Sequence, residues 1–289
     1  MMDLSIIIVN YNAKDVLSQC LNSIYDNTKD VDFQITVIDN ASGDGSPQII
    51  RQRFPRVKLI QNNVNSGLTQ AQNQGLKLAQ GKYLLLLNND TYLQPQAINK
   101  LIEFMDQNPD GGIAGPRIYT NANIQISFAW MPKNPHLFLP YILFKKLFLN
   151  YELRRHNYNL NNNLEVDYVS GACLMIRKTI MENIGYMDEG YFVYNEDDDL
   201  CLRVRQKGYK IYYLPEAKVI HLRGKGGGGL HPYRMILEIH KGIFRLYRKF
   251  YPKPNFLLDT LILGMLTLRL GLAIIIQSVR SLKRLFFRS

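Results

Sequence analysis

Short apolar runs alternate with segments of helical period through the first hundred residues. Residues 4–9 are apolar at almost every position, the pattern of a strand covered on both faces. Leu17, Leu21 and Ile24 follow at helical spacing. Further strands are predicted at 33–38, 57–60 and 83–87, with helices near 47–53 and 66–79 between them. This alternation predicts an α/β domain with a mostly parallel sheet and helices on both faces. Ligands of such sheets bind at the C-terminal ends of the strands. Leu101, Phe104 and Met105 mark another helix, ended by a turn at Pro109-Asp110-Gly111-Gly112. Residues 113–165 show no clear period, and 136–151 are aromatic and basic. Strand character returns at 166–175, a helix at 196–207 stops at Gly208, and short strands follow at 209–214 and 217–222. After a glycine run at 224–229 come two apolar helical segments, about 231–250 and 256–277, split by Pro252 and Pro254. There is no internal repeat.

Composition narrows the class. With 46% hydrophobic residues in 289, the chain can bury a large core, so disorder is excluded. Its net charge of +11 is concentrated late, at Arg234, Lys241, Arg245, Arg248, Lys249, Arg269, Arg280, Lys283 and Arg284 among others. A surface of that sign wants an anionic partner. The residues between the charges are long and apolar, which favours lipid over nucleic acid. Cys20, Cys173 and Cys201 have no CxxC spacing, so neither a zinc site nor a disulfide framework is implied and a reducing compartment fits. The first apolar stretch is too short for a signal peptide and lacks a basic start. The expectation is a cytoplasmic catalytic part.

Four polar clusters carry candidate chemistry, and each has a plain structural alternative. Asn10-Tyr11-Asn12 and Asp39-Asn40 both follow buried strands. Asp39 could accept the N–H of a pyrimidine and Tyr11 could stack on it, but the string from Asp39 to Ser46 also suits an ordinary turn. Asn88-Asn89-Asp90 ends the most apolar strand. Its oxygens suit Mg²⁺ or Mn²⁺ held against a diphosphate, or else Asp90 or Thr91 caps the next helix. Glu196-Asp197-Asp198-Asp199 opens a helix whose dipole tolerates negative charge, and Asp199 can pair with Arg203 one turn on. The functional reading is a general base. His221 ends a strand before a basic, glycine-rich loop in which Arg223 and Lys225 could reach phosphate, although a lone strand-end histidine is often structural. That loop is not a Walker loop.

Together and in this order, these clusters resemble glycosyltransferase family 2, in particular its rhamnosyltransferase-like bacterial members. The resemblance covers about residues 3–225. It rests on Val9-Asn10-Tyr11-Asn12, the string from Val37 to Ser46, Asn62-Asn63-Val64-Asn65-Ser66-Gly67 with Asn73-Gln74-Gly75, and Leu87-Asn88-Asn89-Asp90. It continues through Ser170-Gly171-Ala172-Cys173, the string from Glu196 to Arg203, and Gly208-Tyr209. It implies a GT-A fold, a Rossmann-like sheet with helices on both faces, a nucleoside-diphosphate-sugar donor and inversion at the anomeric carbon. On this chain it makes Asp197 the base with Glu196 beside it, and puts Asn10, Tyr11, Asp39, Asn40, Asn65, Gly67, Asn73, Asn89, Arg223 and Lys225 at the donor. It assigns Asp90, Asn88 and His221 to a divalent cation, and Gly171 and Ala172 to the acceptor. One departure is Asn88, where the family's D-x-D element begins with Asp; an amide binds a divalent ion more weakly than a carboxylate.

The expected organisation is a catalytic domain over 1–229, its donor half 1–115 and its acceptor and catalytic half 116–229, followed by a membrane-associating helical segment at 230–289. Residues 256–276 are long enough to span a bilayer, yet Asp259 and Arg269 lie inside, each costing about 2.5 to 3.5 kcal/mol at a membrane centre. A helix lying in the interface, at the cytoplasmic face of the membrane, is the favoured reading, with a helix completing a soluble core as the alternative. The expected reaction moves a sugar, rhamnose favoured, from a dTDP- or UDP-linked donor to a glycan or polyprenyl-linked acceptor of a surface polysaccharide. A UDP-hexose donor is the first alternative. A nucleotidyltransferase would need a basic, glycine-rich loop after the first strand, where Asn10-Tyr11-Asn12-Ala13 stands instead. A nucleic-acid-binding protein would interleave its basic residues with aromatics on one platform.

Overall fold

The computed structural model describes residues 2–120, 123–132, 137–155, 158–225, 232–251 and 256–286. Four parallel strands start the chain: β1 (Leu4–Asn10), β2 (Phe33–Asp39), β3 (Lys58–Gln61) and β4 (Tyr83–Asn88). Between them run α1 (Lys14–Asn27), α2 (Ser46–Arg53) and α3 (Leu68–Leu76). After β5 (Thr91–Leu93) come α4 (Ala97–Gln107), β6 (Gly111–Thr120), β7 (Asn123–Gln125), β8 (Phe128–Ala129) and α5 (Phe138–Arg155). Then follow β9 (Leu164–Val166), β10 (Tyr168–Val169), β11 (Cys173–Arg177), α6 (Lys178–Ile184), α7 (Glu196–Gln206), β12 (Lys210–His221), α8 (Pro232–Phe250) and α9 (Phe256–Phe286).

The main sheet runs β3-β2-β1-β4-β11-β6-β12-β5, with β7 beside β6 and β9 beside β12, while β8 and β10 pair separately. Strand β11 lies antiparallel to both β4 and β6, so one sheet passes through both expected halves of the catalytic domain. The apolar runs at its centre are explained by cover on both faces. Ile6 and Ile8 pack with Leu17, Leu21, Ile50 and Leu101 on one side. Ile7 packs with Ala71, Leu76, Ile180, Leu200 and Val204 on the other. A third cluster joins Phe138 and Tyr141 of α5 to Leu246 and Tyr247 of α8 and to Ile262 and Leu266 of α9.

Several boundaries differ from those read in the sequence. Gly111 and Gly112 belong to strand β6, and the turn before it is tighter, closed by the Gly111 N–H on Asn108. The two strands expected at 209–222 are one, because a bulge between Leu214 and Lys218 absorbs Pro215 without ending the pairing with β6. Helix α3 starts only at Leu68, since Ser66 and Gly67 are held by hydrogen bonds to the Asn40 side chain. A helix over 138–155 fills the stretch without a clear period; its Phe144 lies outside the helical region.

Candidate active site

The register of β1 and β2 places Asn10 beside Asp39 at the C-terminal edge of the sheet. The Asn10 amide donates to Asp39 Oδ1 at 3.0 Å and its oxygen accepts the Asn89 amide at 2.9 Å, linking the ends of β2, β1 and β4. Asp39 is wholly buried, and its Oδ2 accepts the Ser42 N–H at 2.9 Å. The turn alternative therefore holds in full, and the carboxylate lies in the floor of the site. Asn40 is also buried and uses its whole amide on the following loop: Nδ2 donates to Asn65 Oδ1 and to the Gly67 carbonyl, both at 3.0 Å, and Oδ1 accepts from Asn62 and Ser66. Gly67 has φ +89°, and a Cβ there would sit 2.9 Å from the Phe192 carbonyl oxygen, so only glycine fits.

Not every residue expected at the donor faces it. Asn73 binds the Met187 backbone through both ends of its amide, at 3.0 and 2.9 Å, and donates to Glu189. Its place on α3 faces the 187–192 loop rather than the strand ends, so it ties that loop down. Ala172 is buried, with its carbonyl accepting the Asn88 N–H at 3.0 Å and the Thr91 hydroxyl at 3.2 Å, which makes it part of the sheet. Tyr11 is half-buried at the end of β1. Arg223 is exposed with φ 40°, and the glycines at 226–229 lie outside the described residues. Lys225 turns its N–H to Asp90 Oδ2 at 3.2 Å, and with Asn12 and Lys14 it borders a cavity of 310 Å³ beside the start of α1.

Asp90 is buried, and its Oδ1 lies 3.2 Å from Nε2 of His221, the last residue of β12. The Asn88 amide is 3.5 Å from the same nitrogen. Nδ1 of His221 is buried and has no hydrogen-bond partner among the described residues. The alternative in which Asp90 caps a helix is not realised: α4 follows Gln96, and no side chain caps it. Adjacent ligands on an octahedral Mg²⁺ or Mn²⁺ stand about 3 Å apart, so the Asp90 carboxylate and the His221 imidazole at 3.2 Å fit such an ion, and Asn88, which turns its amide nitrogen to the histidine, would join them only through its oxygen. Among the described residues there is no group of three or more His, Cys, Asp and Glu side chains able to hold a metal alone. A cation here would complete its shell from substrate, as Mg²⁺ commonly does with phosphate oxygens.

Asp197 opens α7 and points back at the sheet. Its Oδ2 accepts the Gly171 N–H at 2.8 Å and the Tyr168 hydroxyl at 3.1 Å, and Oδ1 accepts the Asp198 N–H at 3.0 Å. Burial and the neighbouring Asp198 charge push its carboxyl up to about 6, against the pull of those donors. Burial, then the charge of Asp197, lifts Glu196 well above the usual carboxylate range, and its Oε2 is buried with no partner among the described residues. Two adjacent carboxyls are thus both pushed upward by burial and by their neighbours' charge, and Asp197 has the Gly171 and Tyr168 donors to favour its ionised form. Tyr194 and Asn195, just before the helix, both have positive φ, of 70° and 66°. Such strain is commonly kept at functional sites. Asp199 pairs with Arg203 at 2.7 Å, as its spacing suggested. Contacts therefore run unbroken from Asp39 through Asn10 and Asn89 to Asp90, and from Asn88 through Ala172 and Gly171 to Asp197. These contacts tie the three acidic positions to one edge of the sheet.

The family model of Glycosyl transferase family 2 matches residues 5–185. The chain belongs to glycosyl transferase family 2. It is a glycosyltransferase of GT-A-like fold, as its structural neighbours also indicate. Over 211 residues it is 28% identical to N-acetylglucosaminyl-diphospho-decaprenol L-rhamnosyltransferase of Mycobacterium tuberculosis, covering 67% of this chain and 68% of that one. It is 24% identical over 245 residues to dTDP-rhamnosyl transferase RfbF of Shigella flexneri, covering 84% and 76%. The crystal structure of GalNAc-T7 with UDP, GalNAc and Mn²⁺ superposes with a TM-score of 0.64 at 18% identity, over 85% of this chain but 47% of that one, a likeness of fold. The motifs of this family 2 chain did not reveal Tyr168, whose hydroxyl holds the Asp197 carboxylate. Nothing in its local sequence separates it from the other tyrosines.

Proposed function

We propose that this glycosyltransferase moves a sugar, rhamnose in the favoured reading, from a nucleoside-diphosphate donor to a lipid-linked glycan acceptor at a membrane surface, with inversion. The observation that carries the reading is Asp197, set between Gly171 and Tyr168 with its carboxyl near 6, beside strand ends that hold Asp90 and His221. Asp197 accepts the acceptor hydroxyl proton as that oxygen bonds to the anomeric carbon. The bond from that carbon to the diphosphate oxygen breaks in the same displacement, and the nucleoside diphosphate leaves. The Gly171 and Tyr168 donors keep the carboxylate oriented, and the burial of Glu196 beside it disfavours a second charge there. Asp90, His221 and Asn88 would hold a divalent cation, which when bound neutralises the leaving diphosphate. Tyr11, Asn65 and Gly67 border the donor, positioned by Asn40 and Asp39 behind them.

Support for the sugar and acceptor comes from relatives named as rhamnosyltransferases, one of them acting on a diphospho-decaprenol glycan. Support for membrane contact comes from α9. It is long and apolar enough to cross a bilayer over Phe256–Val279, with 11% of its most apolar stretch buried. Helix α5 adds exposed Leu143, Phe144, Leu147 and Tyr151. The test is Asp197→Asn with a donor panel. Transfer should fall by at least about a thousandfold while dTDP or UDP binding stays within about twofold. Near-wild-type transfer removes Asp197 from the role, and turnover of UDP-hexoses without dTDP-rhamnose replaces the donor assignment.

A further inference from the structure

The late basic residues do not all face outward. Lys249 of α8 donates to Asp199 Oδ1 at 2.6 Å and to Asp188 Oδ2 at 2.9 Å. Arg245, one turn earlier, grips both oxygens of Asp188, its Nη2 lying 2.8 Å from Oδ1 and 3.0 Å from Oδ2. Asp199 is fully buried two residues after Asp197, its other oxygen held by Arg203. Asp188 belongs to the 187–192 loop, which also holds the donor side: Met187 binds Asn73, Tyr191 accepts the Thr69 hydroxyl and Phe192 accepts the Leu68 N–H at 2.8 Å. Lys249 thus joins the base helix to the loop that anchors α3 and Gly67. A second contact points the same way. A Cβ on Gly242 of α8 would lie 2.7 Å from Asn195 Oδ1 and 3.1 Å from the Tyr194 carbonyl, so α8 lies directly against the left-handed turn that launches α7.

We propose that Lys249 is a positioning residue, by which α8 fixes the base helix relative to the donor-side loop. This rests on the reading of Asp197 as base. Two effects follow when the ammonium is removed. The Asp199 carboxylate then keeps Arg203 as its ion pair with Arg245 nearby, and its negative charge, two residues from Asp197, is less fully compensated. The tie between α7 and Asp188 is lost, so the base and the donor are no longer held at one distance. The groups that face Asp197 are Tyr168 of β10, the Gly171 N–H, and Glu196, Asp198 and Cys201 of its own helix. Those that face Asp199 are Arg203, Tyr191, Arg245 and Lys249. Among the described residues, Lys249 is the cation that bonds both Asp199 and Asp188, and its removal touches no residue of the site.

The experiment compares the full chain with Lys249→Met, Lys249→Arg and Asp197→Asn, following transfer against pH and binding of dTDP and UDP by thermal shift. Lys249→Met should lose kcat by at least about tenfold, because small misplacements at a site are costly, with nucleotide binding retained. Its acid limb should move up by about half a unit or more, and Lys249→Arg should restore both. A purely structural lysine would lower the melting temperature and leave the acid limb unmoved, and that result overturns the proposal. Should Lys249→Met fail to fold, Arg245→Met, which removes the paired grip on Asp188 and leaves the Lys249–Asp199 pair in place, is read instead: a several-fold loss of kcat with nucleotide binding intact supports the brace, and unchanged kcat overturns it. An active Asp197→Asn would instead defeat the base assignment. With that variant dead and the Lys249→Met profile unchanged, the base stands and the brace alone falls.

Discussion

Glu196 and Asp197 are neighbours with the same functional group, and their surroundings give them different work. Asp197 receives two donors from outside its helix, while Glu196 receives burial and a neighbour's charge. A base with its carboxyl near 6 works only when ionised, so kcat/KM should fall tenfold per unit as pH drops below about 6. For Glu196 the linkage runs as stability. Its folded-state value is raised above the unfolded one, so its stabilising contribution is present at low pH and lost as pH rises through the folded value. Glu196→Gln, fixed in the neutral form, should melt with the wild type at acid pH and above it as pH rises; parallel melting curves across the range would refute the assignment. Asp197 was legible in the sequence because an acidic run opens a helix there. Tyr168 was not, because its role depends on β10 lying beside α7, a contact between residues far apart in the chain. The partners of Asn73 were hidden for a similar reason: its amide bonds the Met187 backbone, in a loop far along the chain.

At the scale of elements, the parallel half was read nearly whole, since β1, β2 and β4 are largely buried and their apolar runs are unambiguous, while β3 is the more exposed edge strand. The second half was not. Helix α5 mixes aromatic and basic residues without a single apolar face, and strand β12 passes through a proline that ordinarily ends a strand. That second half nevertheless supplies half of the proposed cation site, because β12 pairs with β5 and brings His221 opposite Thr91, next to Asp90. Two strand ends from distant parts of the chain thus bring a carboxylate and an imidazole together. A chelator should abolish transfer, and Mn²⁺ or Mg²⁺ should restore it. His221→Ala should raise the metal concentration for half-activation by at least about tenfold. Full transfer in metal-free buffer would assign Asp90 and His221 to structure alone.

For the whole molecule, the question is how it would meet a membrane. The sequence offers the apolar run at 256–276 and the late positive charge, but Arg245, Arg248 and Lys249 spend theirs on Asp188, Asp259 and Asp199 within the molecule. Asp259, costly in a bilayer, accepts the Tyr247 hydroxyl at 2.7 Å and Arg248, which fastens the first turns of α9 to α8. Beyond that anchor, Leu261, Leu263, Leu268, Leu272, Ile275 and Ile276 of α9 are exposed, too much apolar surface on one element to suit water. Apolar burial is not screened by salt, whereas attraction between exposed charges is confined to about 3 Å in 1 M salt and to about 8 Å at 0.15 M. If α9 inserts, the full chain should sediment with vesicles containing anionic lipid and stay bound in 1 M salt, and deletion of residues 254–289 should leave it in the supernatant. Binding that 1 M salt strips completely would return the attachment to the remaining positive charges. A full chain that ignores vesicles even at low salt would make the exposed face of α9 a contact for something other than lipid.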